Sequence, residues 1–149
     1  WRSRLKPAHP HRQSAAVTLH QSVEEDLRKD TPVVVAGDFN EEPHDVPLTT
    51  LHSSRDPRLV VQHRLQYLYN PCWPLACPCS ETPWEDFGSY RYAGKTSARY
   101  LFDQVLTSSH FIDIDQRVAP NVALPRYGAL QLQNKSLDHL PLEVSLPWR

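Results

Sequence analysis

The sequence predicts an α+β fold in which sheet packs against sheet and helices lie outside. Three observations carry this. Apolar residues recur at helical spacing between Ser14 and Lys29, and a β-branched run from Val33 to Ala36 reads as a buried central strand. The C-terminal "LPLEVSLPW" alternates with the two-residue period of a strand. Strands outnumber helices and do not alternate with them, which argues against a parallel βαβα array.

Residues 1–12, "WRSRLKPAHPHR", are basic and aperiodic, and read as a loop. Ala16, Leu19, Val23 and Leu27 then mark one stripe of a surface helix. Glu24 with Arg28 and Glu25 with Lys29 form i,i+4 pairs on its polar side. Pro32 cannot continue the ladder and ends the element. Gly37 closes the strand that follows. Asp45, before Val46-Pro47, is placed to cap a short helix carrying Leu48 and Leu51.

Residues 52–86 predict long loops with some strand or helix, including "LVVQHRLQYLYN". A two-residue period returns in a short aromatic strand around Phe87, Ser89 and Arg91. "YLFDQVLTS" predicts another strand from Tyr100 to Leu106. The last strand places Leu140, Leu142, Val144 and Leu146 on one face, with Pro141, Glu143 and Ser145 on the other.

The bulk numbers suit one soluble domain. The chain has 149 residues, 40% hydrophobic and 22% charged, enough for a real core. Fourteen prolines against four glycines predict stiff, irregular connections. A net charge of -1 provides no footprint for tight nonspecific nucleic-acid binding, and no apolar run is long enough to cross a membrane. The chain starts at Trp1 without an initiator Met, so an N-terminal portion is expected to be missing, and targeting stays unread. Cys72, Cys77 and Cys79 crowd into "NPCWPLACPCS" at a spacing that matches no zinc signature. They read as loop cysteines, with a disulfide or a metal site that borrows His63 as the alternatives.

Three stretches place a polar group at the edge of a strand. Asp38 and Asn40 project the same way in an extended chain. Asp103 sits inside "LFDQVL", where an unpaired carboxylate is costly. Asp138 and His139 precede the last strand. Gathered together, such groups suit hydrolysis. A carboxylate can hold a hard cation or accept a proton from water, an amide can orient an oxygen, and a histidine set by a second carboxylate can act as base or donor. Singly each has a plainer reading: Gly-Asp before Asn is ordinary turn chemistry, Asp103 can serve a buried amide, and His139 can be structural. His9 and His11 in "HPH" could bind a metal but lie on a loop without a nearby carboxylate.

"GDFNEEPHD", "YLFDQVLTS" and "SLDHLPLEV", in that order and spacing, resemble the endonuclease/exonuclease/phosphatase superfamily of Mg²⁺-dependent phosphoesterases. "WRSR" followed by a helix near "HRQSAA" is similar to the family segment in which a catalytic His directly precedes the Trp. "GSYRYAGK" resembles the strand before the aspartate-bearing one. The likeness spans nearly all of residues 1–149 but only the second half of a family domain. It implies a four-layer α/β/β/α sandwich of which this chain is a partial domain, the C-terminal half.

The resemblance also implies roles. Asp38 would activate the attacking water or help hold Mg²⁺ (or Mn²⁺), and Asn40 would orient water and phosphate. Asp138 would lie at the metal, and His139 would contact the scissile phosphate with Asp103 holding its imidazole. Family members read Ser-Asp-His, whereas Leu137 here separates Ser136 from Asp138. The family's metal-binding Glu belongs to the N-terminal half. Glu41 and Glu42 are expected to face solvent rather than replace it. The implied activity is in-line hydrolysis of a phosphodiester or phosphomonoester, nuclease-like, with nucleic acid as a candidate partner. An inositol- or lipid-phosphate phosphatase is the alternative within the class. A noncatalytic fragment or binding module is the alternative outside it, and the isolated segment is expected to be poorly active.

Overall fold

The first helix, α1 (Pro10–Arg28), begins four residues before the predicted start. Pro10 fits the first helical position, where its missing N–H costs nothing. The His9 ring caps the end by accepting the His11 amide at 3.2 Å. Ala16, Val23 and Leu27 are buried along one stripe, as their spacing predicts. The two i,i+4 pairs form on the opposite side, Arg28 to Glu24 at 2.8 Å and Lys29 to Glu25 at 2.7 Å. The computed structural model describes residues 9–76, 88–91, 99–123 and 139–147. None of the described helices is long and apolar enough to cross a membrane.

Beyond α1 come β1 (Val34–Asp38), α2 (Val46–Thr50), β2 (Ser53–Ser54), α3 (Pro57–Gln62), β3 (Leu68–Tyr69) and α4 (Trp73–Ala76). The second half of the chain contributes β4 (Tyr90–Arg91), β5 (Arg99–Tyr100), β6 (Asp103–Thr107), a 3-10 turn (Ser109–Phe111), β7 (Asn121–Ala123) and β8 (Glu143–Ser145). The main sheet runs in the order β1-β6-β3-β2, with β6 antiparallel to both β1 and β3 and β2 parallel to β3. β4–β5 and β7–β8 form separate two-stranded antiparallel ladders. This is an α+β arrangement with helices flanking a multi-stranded sheet.

Two clusters fill the faces of that sheet. Ala16, Val23 and Leu27 of α1 and Leu48 of α2 pack with Leu51, Leu68 and Leu106 on one side. Val105, one residue earlier on β6, points the other way and packs with Cys72, Leu101 and Val122, against Leu142 and Val144. So β7–β8 covers the face that α1 and α2 do not. Burying each such Val or Leu contributes roughly 1.5–3 kcal/mol.

Three expectations need correcting. The run Val33–Ala36 predicts a central strand, but β1 lies at the sheet's edge among the described residues and Val34 is 44% exposed. Val33 and Val35 face the α1 core, while β7–β8 packs over β6 and leaves Val34 and Ala36 open. The strand predicted from Tyr100 to Leu106 is two strands. The chain leaves the β4–β5 ladder at Leu101 and Phe102 and joins the main sheet at Asp103. The side chain of Asp45 does not cap α2; it accepts the Glu42 amide at 2.7 Å and closes the preceding turn. Phe87, Cys77 and Cys79 lie outside the described residues, while Cys72 is buried in the second cluster.

Candidate active site

The end of β1 is held from both sides. Gly37 adopts φ 154°, a conformation that glycine takes readily and other residues rarely, and Asp38 follows it as the last residue of the strand. Asn40 then turns the chain with a left-handed φ of 50°. Its backbone N–H donates to Asp38 Oδ1 at 2.8 Å and its Nδ2 donates to Oδ2 at 2.7 Å. Both oxygens of Asp38 are therefore fixed by one neighbour, a local Asx arrangement that Asn and Asp favour.

Beneath this turn Phe39, Glu41 and Pro43 are buried, while Asn40 and Glu42 are half-buried. Glu41 does not face solvent as its place after the motif suggests. It is fully buried and accepts a hydrogen bond from Arg12 Nε of α1, itself 1% exposed. Gln104 Nε2 donates to the Glu41 carbonyl at 2.7 Å, tying the turn to β6 as well. Glu42 is only half-buried: its Oε1 accepts the Leu101 amide at 3.4 Å, while its Oε2 lies 3.7 Å from the exposed His44 ring.

The β1–β6 register sets Asp38 directly opposite Asp103. Directly opposed like charges destabilise an antiparallel pair. Here two carboxylates share one rim of the sheet, Asp38 exposed and Asp103 half-buried. Asp103 donates its amide to Ser89 Oγ at 2.8 Å, and the buried Ser89 carbonyl accepts the Leu140 amide at 2.6 Å. Tyr90 forms a backbone bridge with His139. This bracket carries His139 across to Asp103, with Nδ1 2.8 Å from Asp103 Oδ2. An ionised carboxylate can only accept, so Nδ1 carries the proton and Nε2 is the acceptor of the neutral ring.

Asp38, Asp103 and His139 thus offer ligand atoms all within 4.8 Å of one another. Two carboxylates are hard donors of the kind Mg²⁺ and Mn²⁺ prefer, and opposed anions are neutralised by a cation. The donor set fits the metal. Of the residues predicted for the site, Asp38, Asn40, Asp103 and His139 come together. Asp138 lies outside the described residues. His9 and His11 stay apart at the start of α1, their rings 5.0 Å from each other. Sequence reasoning missed Ser89, Gln104, Arg12 and Glu41. Only Arg12 leaves a trace: it stands one helical turn before Ala16, on the apolar stripe, where a charge needs a partner.

A model of the endonuclease/exonuclease/phosphatase family matches residues 1–124. That match ends before His139, whose place beside Asp103 rests on the geometry above. Comparison with curated proteins and with solved structures returns no match.

Proposed function

Because the chain belongs to the endonuclease/exonuclease/phosphatase family, we propose that its Asp38–Asp103–His139 cluster serves metal-dependent phosphoester hydrolysis, nuclease-like in its choice of a phosphodiester. The observation that carries this reading is the register itself. Asp38 faces Asp103 across the ladder, and Asp103 in turn holds a histidine. Two opposed carboxylates with an oriented imidazole favour a cation and a phosphate over a purely structural rim.

The roles follow from the contacts, except that of Asp138, which lies outside the described residues and rests on the family resemblance alone. Asp38 would hold Mg²⁺ or Mn²⁺ together with Asp138, or take the proton of the attacking water. Asn40 keeps that carboxylate in one orientation through two hydrogen bonds. A cation held there would supply positive charge against the developing phosphoryl oxyanion. Asp103 fixes the His139 tautomer through Nδ1, which directs Nε2 outward to contact a phosphoryl oxygen, as donor when protonated. Asp103 would work through His139 as its positioning partner.

The test is release of p-nitrophenol from bis-p-nitrophenyl phosphate by the full protein. Turnover is expected with Mg²⁺ or Mn²⁺, lost on EDTA and restored by added metal. Metal-independent turnover overturns the metal's role in the proposal; no turnover under any metal overturns the hydrolase itself and favours a noncatalytic module.

A further inference from the structure

Beside the cluster stands a group of aromatic rings that the hydrolytic reading leaves unused. Tyr100 stacks on Phe102 with centroids 5.1 Å apart and planes 10° from parallel. Phe102 stacks on Tyr90 at 5.2 Å and 20°. The Tyr90 ring then meets the His139 ring at 4.7 Å. Tyr90 and Tyr100 are also cross-strand partners of the β4–β5 ladder, 6.5 Å apart. Pairing within a ladder explains why those two rings are neighbours. It does not explain Phe102, which lies in the crossover between the sheets, nor why Tyr100 stays 37% exposed. Gly88 allows the approach: with φ 65°, a Cβ there would sit 2.8 Å from the Tyr100 carbonyl oxygen.

We propose that the Tyr90–Phe102–Tyr100 stack is a platform for a planar base, so that the phosphoester bound at His139 carries an unpaired nucleobase. This rests on the hydrolytic reading for the phosphate and adds the group beside it. Near-parallel aromatic faces attract a flat heterocycle by stacking without regard to its hydrogen-bonding edge. They offer little to an inositol ring, whose hydroxyls need polar partners. The platform is continuous with the site, because its Tyr90 ring meets the histidine and its Tyr100 ring is partly exposed. A single-stranded or terminal nucleotide can place a base there; a paired base in a duplex cannot without leaving its stack.

The experiment uses the full protein in EDTA, where hydrolysis does not intervene, and a short single-stranded oligonucleotide carrying 2-aminopurine. Stacking on the platform quenches the probe's fluorescence, which reads its affinity. Ribose 5-phosphate, measured by competition, reports the phosphate site without a base. Tyr100→Ala and Tyr100→Leu are expected to weaken the oligonucleotide roughly 5- to 100-fold. Ribose 5-phosphate should lose much less. Tyr100→Phe, which keeps the ring, should stay within about two-fold of the wild type. Tyr100→Leu preserves apolar bulk, so a fold failure confined to the alanine variant leaves the result readable. Equal loss of both probes, an unquenched probe, or a leucine variant that binds like the wild type overturns the platform. Quenching by a protein that hydrolyses no phosphoester keeps the platform and refutes the hydrolase; oligonucleotide hydrolysis indifferent to Tyr100→Leu does the reverse.

Discussion

Three residues apart, Asp38 and Glu41 live under opposite electrostatic rules. Glu41 is fully buried and meets its opposite charge, Arg12, which is buried with it. Asp38 stands exposed at the sheet's rim and meets a like charge, Asp103, in the facing strand. The first arrangement sets opposite charges against each other within the chain and ties the turn to α1. The second is incomplete and calls for something from outside. The turn that joins them, fixed by Asn40 and by Gln104 on the Glu41 carbonyl, lets the closed pair hold the open one in place.

The largest effect should come from breaking the open side. Asp38→Asn and His139→Ala are each expected to lower turnover about 10³-fold or more. Thermal unfolding without metal should change little in Asp38→Asn, because relief of the like-charge contact offsets the loss of one of the two hydrogen bonds from Asn40. Activity within a few-fold of wild type in either variant would reject these assignments.

Breaking the closed side should move stability first. Glu41→Gln removes the carboxylate charge that faces the buried Arg12 guanidinium, at a cost of about 3–5 kcal/mol. For a chain of this size that lowers Tm by roughly 6–20 °C. The double change Arg12→Met with Glu41→Leu, read by the same melting curve, should recover most of the loss, since it removes both charges together. If the double variant melts no higher than Glu41→Gln, the pair is not the source of the cost.

This contrast also marks how much the chain disclosed before its fold was known. Periodicity found α1 and its core stripe because helical spacing is a local property. The family resemblance, carried by motifs at strand edges and not by periodicity, singled out Asp38, Asn40, Asp103 and His139, which the fold brings together. Arg12 and Glu41 stayed hidden, since a pair that meets across 29 positions leaves only an ill-fitting charge on a stripe. Ser89 was equally silent: its hydroxyl and carbonyl serve two different segments, and no pattern encodes that. The place of β1 at the edge among the described strands was not legible, because an apolar run reports hydrophobicity, not which strand lies beside it.

A smaller effect should sharpen the open side. If the facing carboxylates await a cation, Mg²⁺ must stabilise the fold by mass action, by about 2.7 kcal/mol at a hundred times its Kd. The upward shift in Tm should shrink in Asp103→Asn and vanish in Asp38→Asn. The Arg12–Glu41 pair should not respond to Mg²⁺ at all. An equal shift in Asp38→Asn would place the metal elsewhere.

The smallest effect concerns a second like-charge contact, built from imidazoles instead of carboxylates. The rings of His20, on α1, and His52, just beyond α2, lie 4.4 Å apart. Burial and the neighbouring His52 charge lower the His20 pKa from its ordinary 6.5, against a partial opposing pull from Glu24. A cation need not resolve this pair, because it can shed its protons. The unfolded chain protonates His20 near pH 6.5 while the folded chain resists, so the His20 contribution is fully present above that pH. It is lost as pH falls through the lowered folded value. Urea unfolding between about pH 5 and pH 7.5 should therefore show stability declining on the acid side. In His20→Gln that decline should flatten, with little change at neutral pH. An identical acid slope in the variant would show that other groups set it, and that proton release at His20 does not resolve the contact as metal binding would resolve Asp38 and Asp103.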